Sequence, residues 1–252
     1  MKSHLTILTG ASRGMGLALA QQLLSPHTVL LCISRHANAE LSAQAAHSGA
    51  RLEQWTRDLA DSLPVAAQLA QWLRALEPQH LASATLINNA GMIPALAPLG
   101  QSPADELATA LRVGLEAPLL LCNAFLNATQ DWTTVPRKVL NISSGLGRRA
   151  MASQSAYCAA KAGMDHFTRC LALDEARQAH GARVCSLAPG VVDTDMQQQL
   201  RQADPQHFPD QGGFDALHRQ DQLTSPTEAA RRVLAYLARP DFGELPVADV
   251  RS

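Results

Sequence analysis

Lysine is scarce in this chain. Only Lys2, Lys138 and Lys161 occur among 252 residues, so 18 of the 21 basic side chains are arginine. No stretch is strongly basic and the formal net charge is -1. That balance argues against a general nucleic-acid surface and against a polybasic membrane anchor. The five cysteines (Cys32, Cys122, Cys158, Cys170, Cys185) form no CxxC pair and no Cys/His ligand spacing. Reduced thiols are therefore expected, with neither a disulfide framework nor a metal. No run reaches the ~18 uninterrupted apolar residues of a membrane span, and the short apolar run before Gly10 is too brief for a signal segment. The expectation is a cytoplasmic protein with no nucleic-acid or membrane partner.

What is present is aliphatic and alternating. With 46% hydrophobic residues, the chain can bury one sizeable core. Short apolar runs at 5–9, 28–34, 51–56, 85–88, 138–143, 183–188 and 246–250 read as strands. Several are continuous Val/Ile/Leu stretches, as expected when helices cover both faces of a sheet. Helical patterns fill the intervals at 14–24, 37–48, 62–76, 103–130, 153–180 and 226–239. This alternation predicts a single α/β domain over 1–252: a doubly wound, Rossmann-type fold with a parallel sheet of about seven strands and helices on both faces. The one irregular stretch, 193–224, carries Pro205, Pro209 and the Gly212-Gly213 pair. Its place after the sixth strand puts it at the carboxyl edge of the sheet, where ligands bind, and suggests a substrate lid.

The first strand runs into Thr9-Gly10-Ala11-Ser12-Arg13-Gly14-Met15-Gly16 and then a helix. Glycine lets the backbone turn sharply and approach a pyrophosphate, and the helix N-terminus offers N–H groups to the anion. That context predicts a dinucleotide site. An NAD site usually places an acid at the end of the second strand to bond the ribose hydroxyl. Here the chain reads Ile33-Ser34-Arg35-His36, with no acid until Glu40. Arg35 and Arg13 suit a 2′-phosphate instead, which favours NADP(H).

Tyr157-Cys158-Ala159-Ala160-Lys161 places a phenol and an ammonium on one face of a helix. The positive charge is expected to favour phenolate and lower the tyrosine pKa for acid–base work. With two Tyr and three Lys in the chain, roughly 0.02 accidental YxxxK pairs are expected, so the spacing is informative. The fifth strand ends Asn141-Ile142-Ser143-Ser144-Gly145. Side chains alternate along a strand, and Ser144 is preferred over Ser143 as a hydrogen-bond donor to a substrate carbonyl.

Together, Thr9-Gly-x-x-x-Gly-x-Gly16, Asn88-Asn89-Ala90-Gly91, Ser144, Tyr157-x-x-x-Lys161 and Pro189-Gly190-x-x-x-Thr194 resemble the short-chain dehydrogenase/reductase superfamily. NISSG, SAYCAAKAGMDHF, LAPGVVDTDMQ and FGELPVADVR resemble its sepiapterin reductase and benzil reductase branch. The resemblance implies that Tyr157 donates a proton to a carbonyl oxygen. It implies that Lys161 holds the nicotinamide ribose and that Ser144 orients the carbonyl. Asp58 would contact the adenine. Asn88, Ala90, Gly91 and Ile142 would line the cofactor cleft, and Pro189, Gly190, Val192 and Thr194 would hold the nicotinamide. A homodimer or homotetramer is implied as well. One position departs from the pattern: Gly114 stands where the family often has an asparagine that helps hold a relay water.

The expected reaction is NADPH-dependent reduction of a small, largely apolar ketone or α-diketone. A 3-oxoacyl or other hydroxy-compound dehydrogenase and a non-catalytic NADPH sensor are the alternatives. Leu146, Met151, Val191, Met196, Phe208 and Phe214 are expected to line the substrate pocket, with Asp249 at the place of a pterin-anchoring aspartate in that branch.

Overall fold

In the computed structural model, which describes residues 2–251, alternate strand residues face two separate cores. Leu5, Ile7, Leu31, Ile33, Leu86 and Val139 belong to one cluster, whereas Leu8, Leu30, Cys32, Ile87 and Leu140 belong to the other. A period-two backbone sends successive side chains to opposite faces, so a strand that is apolar throughout must be covered on both.

The strands are β1 (Ser3–Thr9), β2 (Thr28–Ser34), β3 (Arg51–Thr56), β4 (Leu81–Asn88), β5 (Arg137–Ile142), β6 (Arg183–Ala188) and β7 (Val247–Asp249). They form one seven-stranded sheet in the order β3-β2-β1-β4-β5-β6-β7, and every pairing is parallel. The first core packs under α3 (Ser62–Arg74) and α5 (Ala117–Ala128), and the second under α1 (Gly14–Leu23) and α9 (Pro226–Ala238). The remaining helices are α2 (Ala39–Ser48), α4 (Ala104–Leu111), α6 (Ser155–Glu175), α7 (Asp195–Arg201) and α8 (Gln211–Arg219). The strand order reverses between β1 and β4, which opens a crevice beyond their carboxyl ends.

Two expectations are corrected. The helix read across 103–130 is broken by a π-helical turn, Arg112–Glu116, between α4 and α5. Pro118 has no N–H for the Gly114 carbonyl four residues back, so an α-helical bond there is impossible. A Cβ on Gly114 would lie 3.0 Å from the Ala160 Cβ, so the turn leans against α6 where only glycine leaves ordinary space. Among the described residues, Ala104–Ala128 is the stretch long and apolar enough by composition to cross a membrane. It is packed against α3 and α6 instead.

The second correction concerns 193–224, which is not irregular but contains α7 and α8. Its base is closed by a parallel bridge between Val192 and Thr224. Leu200 and Phe208 bury themselves against Ile93, joined by Met151, Tyr157, Met196 and Phe214. The Phe208 and Phe214 rings stack at 5.6 Å.

Candidate active site

The glycine-rich turn forms a cradle at the end of β1. Gly10 and Gly14 adopt φ of 70° and 54°. A Cβ on Gly16 would stand 2.0 Å from the Gly10 carbonyl oxygen, so no larger residue fits there. α1 opens without a side-chain cap, which leaves its first-turn N–H groups available to an anion. The turn is held from both sides: the Thr9 hydroxyl accepts from the Asn89 and Ala90 N–H groups at 3.0 Å, and the Ser34 hydroxyl accepts from Ala11 N–H at 2.8 Å. The cradle therefore fits a dinucleotide pyrophosphate.

Gly10, Ser12, Arg13, Gly14, Met15 and Gly16 line one end of a cleft of about 650 Å³. Arg35 and Asp58 line it too, as do Ala90, Gly91 and Ile142. Arg57, which sequence reasoning passed over, joins Arg35 there. Arg13 reaches the carboxylate of Asp195 at 2.5 Å, an ion pair exposed on both sides and so of small energetic weight. Asn88 is a correction. It faces away from the cleft, buried, and donates to the Asn141 side-chain oxygen at 2.8 Å. Its neighbour Asn89 lines the cleft instead and donates to the Thr9 carbonyl at 3.0 Å.

Ser144, Tyr157 and Lys161 meet midway along the cleft. The Ser144 hydroxyl stands near enough to the Tyr157 phenol to pull its pKa down, and it accepts from Leu146 N–H at 3.2 Å. The Lys161 ammonium lies 5.8 Å from the centre of the Tyr157 ring and donates to the Ile142 carbonyl at 2.7 Å. Burial pulls Lys161 down to about 8, opposed by the Asp165 carboxylate. The expected lowering of the Tyr157 pKa does not occur. Burial raises it and outweighs the Ser144 bond, which pulls the other way. The site thus favours the protonated phenol, the form that donates a proton.

Behind the lysine, Asp165 accepts from the Ser186 hydroxyl at 2.6 Å and pairs with Arg148 at 3.3 Å. Arg148 also donates to the Ala248 carbonyl at 2.7 Å. This network ties the segment after Ser144 to β6 and β7.

Pro189, Gly190, Val192 and Thr194 line the cleft from the loop after β6, where Gly190 adopts φ of 86°. At the other end stand Leu146, Val191, Met196, Phe214 and Asp249. Asp249 is already gripped by Arg251, whose Nε and terminal nitrogen each lie 2.7 Å from a carboxylate oxygen. Met151 and Phe208 are corrections: they do not line the cleft but pack in the cluster behind it, because the 193–224 segment needs its own small core. Ser143, Arg149, Gln154, Gln197 and Arg251 line it without having been anticipated. Both consecutive serines reach the cleft because both lie past the end of β5 at Ile142, where strand alternation no longer applies.

The profile of the family described as short chain dehydrogenase matches residues 4–205. The chain is 33% identical to a benzil reductase ((S)-benzoin forming) of Bacillus cereus, covering 94% of both chains. It is 34% identical to a sepiapterin reductase of Meriones unguiculatus, covering 94% of this chain and 92% of the other. A crystal structure from Beutenbergia cavernae with bound NADP at low occupancy superposes with a TM-score of 0.80 at 26% identity, covering 99% of this chain and 96% of that one.

Proposed function

This chain belongs to the short-chain dehydrogenase family, and from that premise we propose that it uses NADPH to reduce a small, largely apolar ketone or α-diketone to the alcohol. The observation that carries the reading is the Ser144–Tyr157 pair beside a buried Lys161, in one cleft with the glycine cradle and a set of apolar side chains. When bound, the reduced nicotinamide supplies a hydride to the carbonyl carbon.

The chain's own residues do the rest. The amides opening α1 hold the pyrophosphate, and Arg35 with Arg13 meets the 2′-phosphate. Ser144 positions the carbonyl oxygen by a hydrogen bond. As negative charge develops on that oxygen, the Tyr157 phenol gives it a proton, so the C=O π bond is replaced by C–H and O–H bonds. Lys161 stabilises the phenolate left behind and binds the nucleotide ribose. The 193–224 segment acts as a lid that keeps water from the site.

The names of the similar enzymes support a carbonyl flanked by an aromatic or second oxygen function. Following nicotinamide absorbance with benzil, sepiapterin and an acetoacetyl thioester side by side tests the substrate class. Tyr157→Phe is expected to lose at least about 10²-fold in turnover while keeping its NADPH affinity, the usual scale of general acid help. Near wild-type reduction by that variant removes the mechanism.

A further inference from the structure

A buried polar group without a partner is expensive, so native proteins keep few of them and usually for a reason. Among the described residues, the buried side-chain N and O atoms lacking a partner belong to Asn88, Arg137, Ser143, Gln154 and Gln197. Asn88 and Arg137 keep other bonds. The two glutamines do not: in each, both Nε2 and Oε1 are unpartnered, at 0% and 3% residue exposure. Both glutamines, and Ser143, line the cleft.

Their placement is specific. Gln154 lies immediately before α6, three residues ahead of Tyr157, and both line the cleft. The residue before it, Ser153, adopts a left-handed φ of 60°. That conformation is unfavourable for a side-chain-bearing residue and persists only where its surroundings enforce it. Here the Ser153 hydroxyl donates to the His207 carbonyl at 2.5 Å, in the 193–224 segment. Gln197 comes from that same segment, on α7 beside the cleft-lining Met196. The tether joins the residue ahead of Gln154 to the segment that carries Gln197.

We propose that Gln154 and Gln197 receive a second substrate oxygen adjacent to the reacting carbonyl, so that the substrate class is a vicinal dicarbonyl rather than a monoketone. The inference rests on the reductase reading above. In an α-diketone the second oxygen sits one carbon beyond the first. With the first oxygen between Ser144 and Tyr157, the glutamine Nε2–H groups donate to the second. Only the first carbonyl reacts: its carbon gains the hydride from NADPH, its oxygen gains the Tyr157 proton, and its π bond is lost. The two electrons come from the cofactor, which leaves as NADP⁺. The product is an α-hydroxyketone whose remaining carbonyl is still held by the amides.

The test compares kcat/KM for benzil with that for deoxybenzoin, in which a methylene replaces one carbonyl, and for the smaller pair diacetyl and butanone. Wild type, Gln154→Leu and Gln197→Leu are measured with NADPH. Leucine removes the amide at similar bulk. A diketone-to-monoketone ratio lower by about 10- to 100-fold in Gln154→Leu, and lower in the same direction in Gln197→Leu, is expected from the loss of hydrogen bonds to a buried oxygen. A melting temperature at or above wild type is also expected, because an unpartnered buried amide is replaced by an apolar group. An unchanged ratio, or a lowered melting temperature with equal losses on both ketones of a pair, overturns the proposal. If wild type binds NADPH yet reduces neither member of either pair, the reductase reading itself falls; if it reduces all four and the ratios stay fixed in the variants, only this inference does.

Discussion

Lys161 holds its amine in a site where only 4% of the residue is exposed, and burial brings its pKa to about 8 from 10.5. The sign follows from that direction. A lysine depressed on folding costs stability below about 8, where it is charged in both states, and the cost is relieved as pH rises from about 8 toward the unfolded value. Catalysis moves the other way. Above about 8 the ammonium that steadies the Tyr157 phenolate is lost, so kcat/KM for reduction is expected to fall along a limb centred near that pH. A profile that stays flat well into the alkaline range would remove Lys161 from the acid–base step. Arg35 carries a different expectation. It has no ion-pair partner among the described residues, whereas Arg13 is engaged by Asp195. Arg35→Ala should lower the preference for NADPH over NADH by about 10- to 100-fold, since charge-assisted hydrogen bonds contribute about 1.5–3 kcal/mol. Paired kcat/KM values for the two cofactors read this directly.

At the scale of elements, the cradle depends on how closely α1 can meet the end of β1. Gly16→Ala would push a methyl to 2.0 Å from the Gly10 carbonyl, and neither backbone can yield without moving the turn. A loss of about 1–3 kcal/mol is expected from such overpacking, together with much weaker NADPH binding. Denaturant unfolding measures the first and fluorescence titration the second; normal affinity in a folded variant would mean that the turn does not shape the nucleotide site. The π-helical turn at Arg112–Glu116 follows the same logic of close approach. Gly114 lets it touch Ala160, and Pro118 withholds the N–H that would have closed an α-helical turn. The glycine that departs from the family pattern thus sits where the helix has already been opened.

Among the exposed apolar side chains, which include Leu63, Leu99 and Leu245 elsewhere, three leucines lie on α4, α5 and α6. Leu111 ends α4, Leu119 lies on α5 and Leu173 on α6, and all are exposed. Solvated leucines gathered on neighbouring helices suit an interface. The family resemblance pointed to a dimer or tetramer. Light scattering is expected to give such an assembly, and Leu173→Glu with Leu119→Glu to shift it toward monomer. A monodisperse monomer for the unaltered chain would overturn that expectation.

Much of the architecture was legible in the amino-acid order. The strands at 28–34, 51–56 and 183–188 coincide with β2, β3 and β6; for β2, a continuous aliphatic run between helical patterns admits few other structures. The cradle, Ser144, Tyr157 and Lys161 were legible for a similar reason: their spacing along one turn or one strand end is a local matter. The break at Gly114 had a local sign in Pro118, which withholds an N–H, but the packing of the opened turn against Ala160 on α6 is a matter of tertiary structure. The helices in 193–224 were hidden because their stretch is short of apolar residues and interrupted by Pro205, Pro209 and the Gly212-Gly213 pair, and Leu200 and Phe208 find their partner Ile93 far back in the chain. The choice between Asn88 and Asn89 turned on which side of the sheet the end of β4 presents. Gln154 and Gln197 carry no motif at all. Their meaning lies in being buried without partners, and burial belongs to tertiary packing rather than to the order of residues.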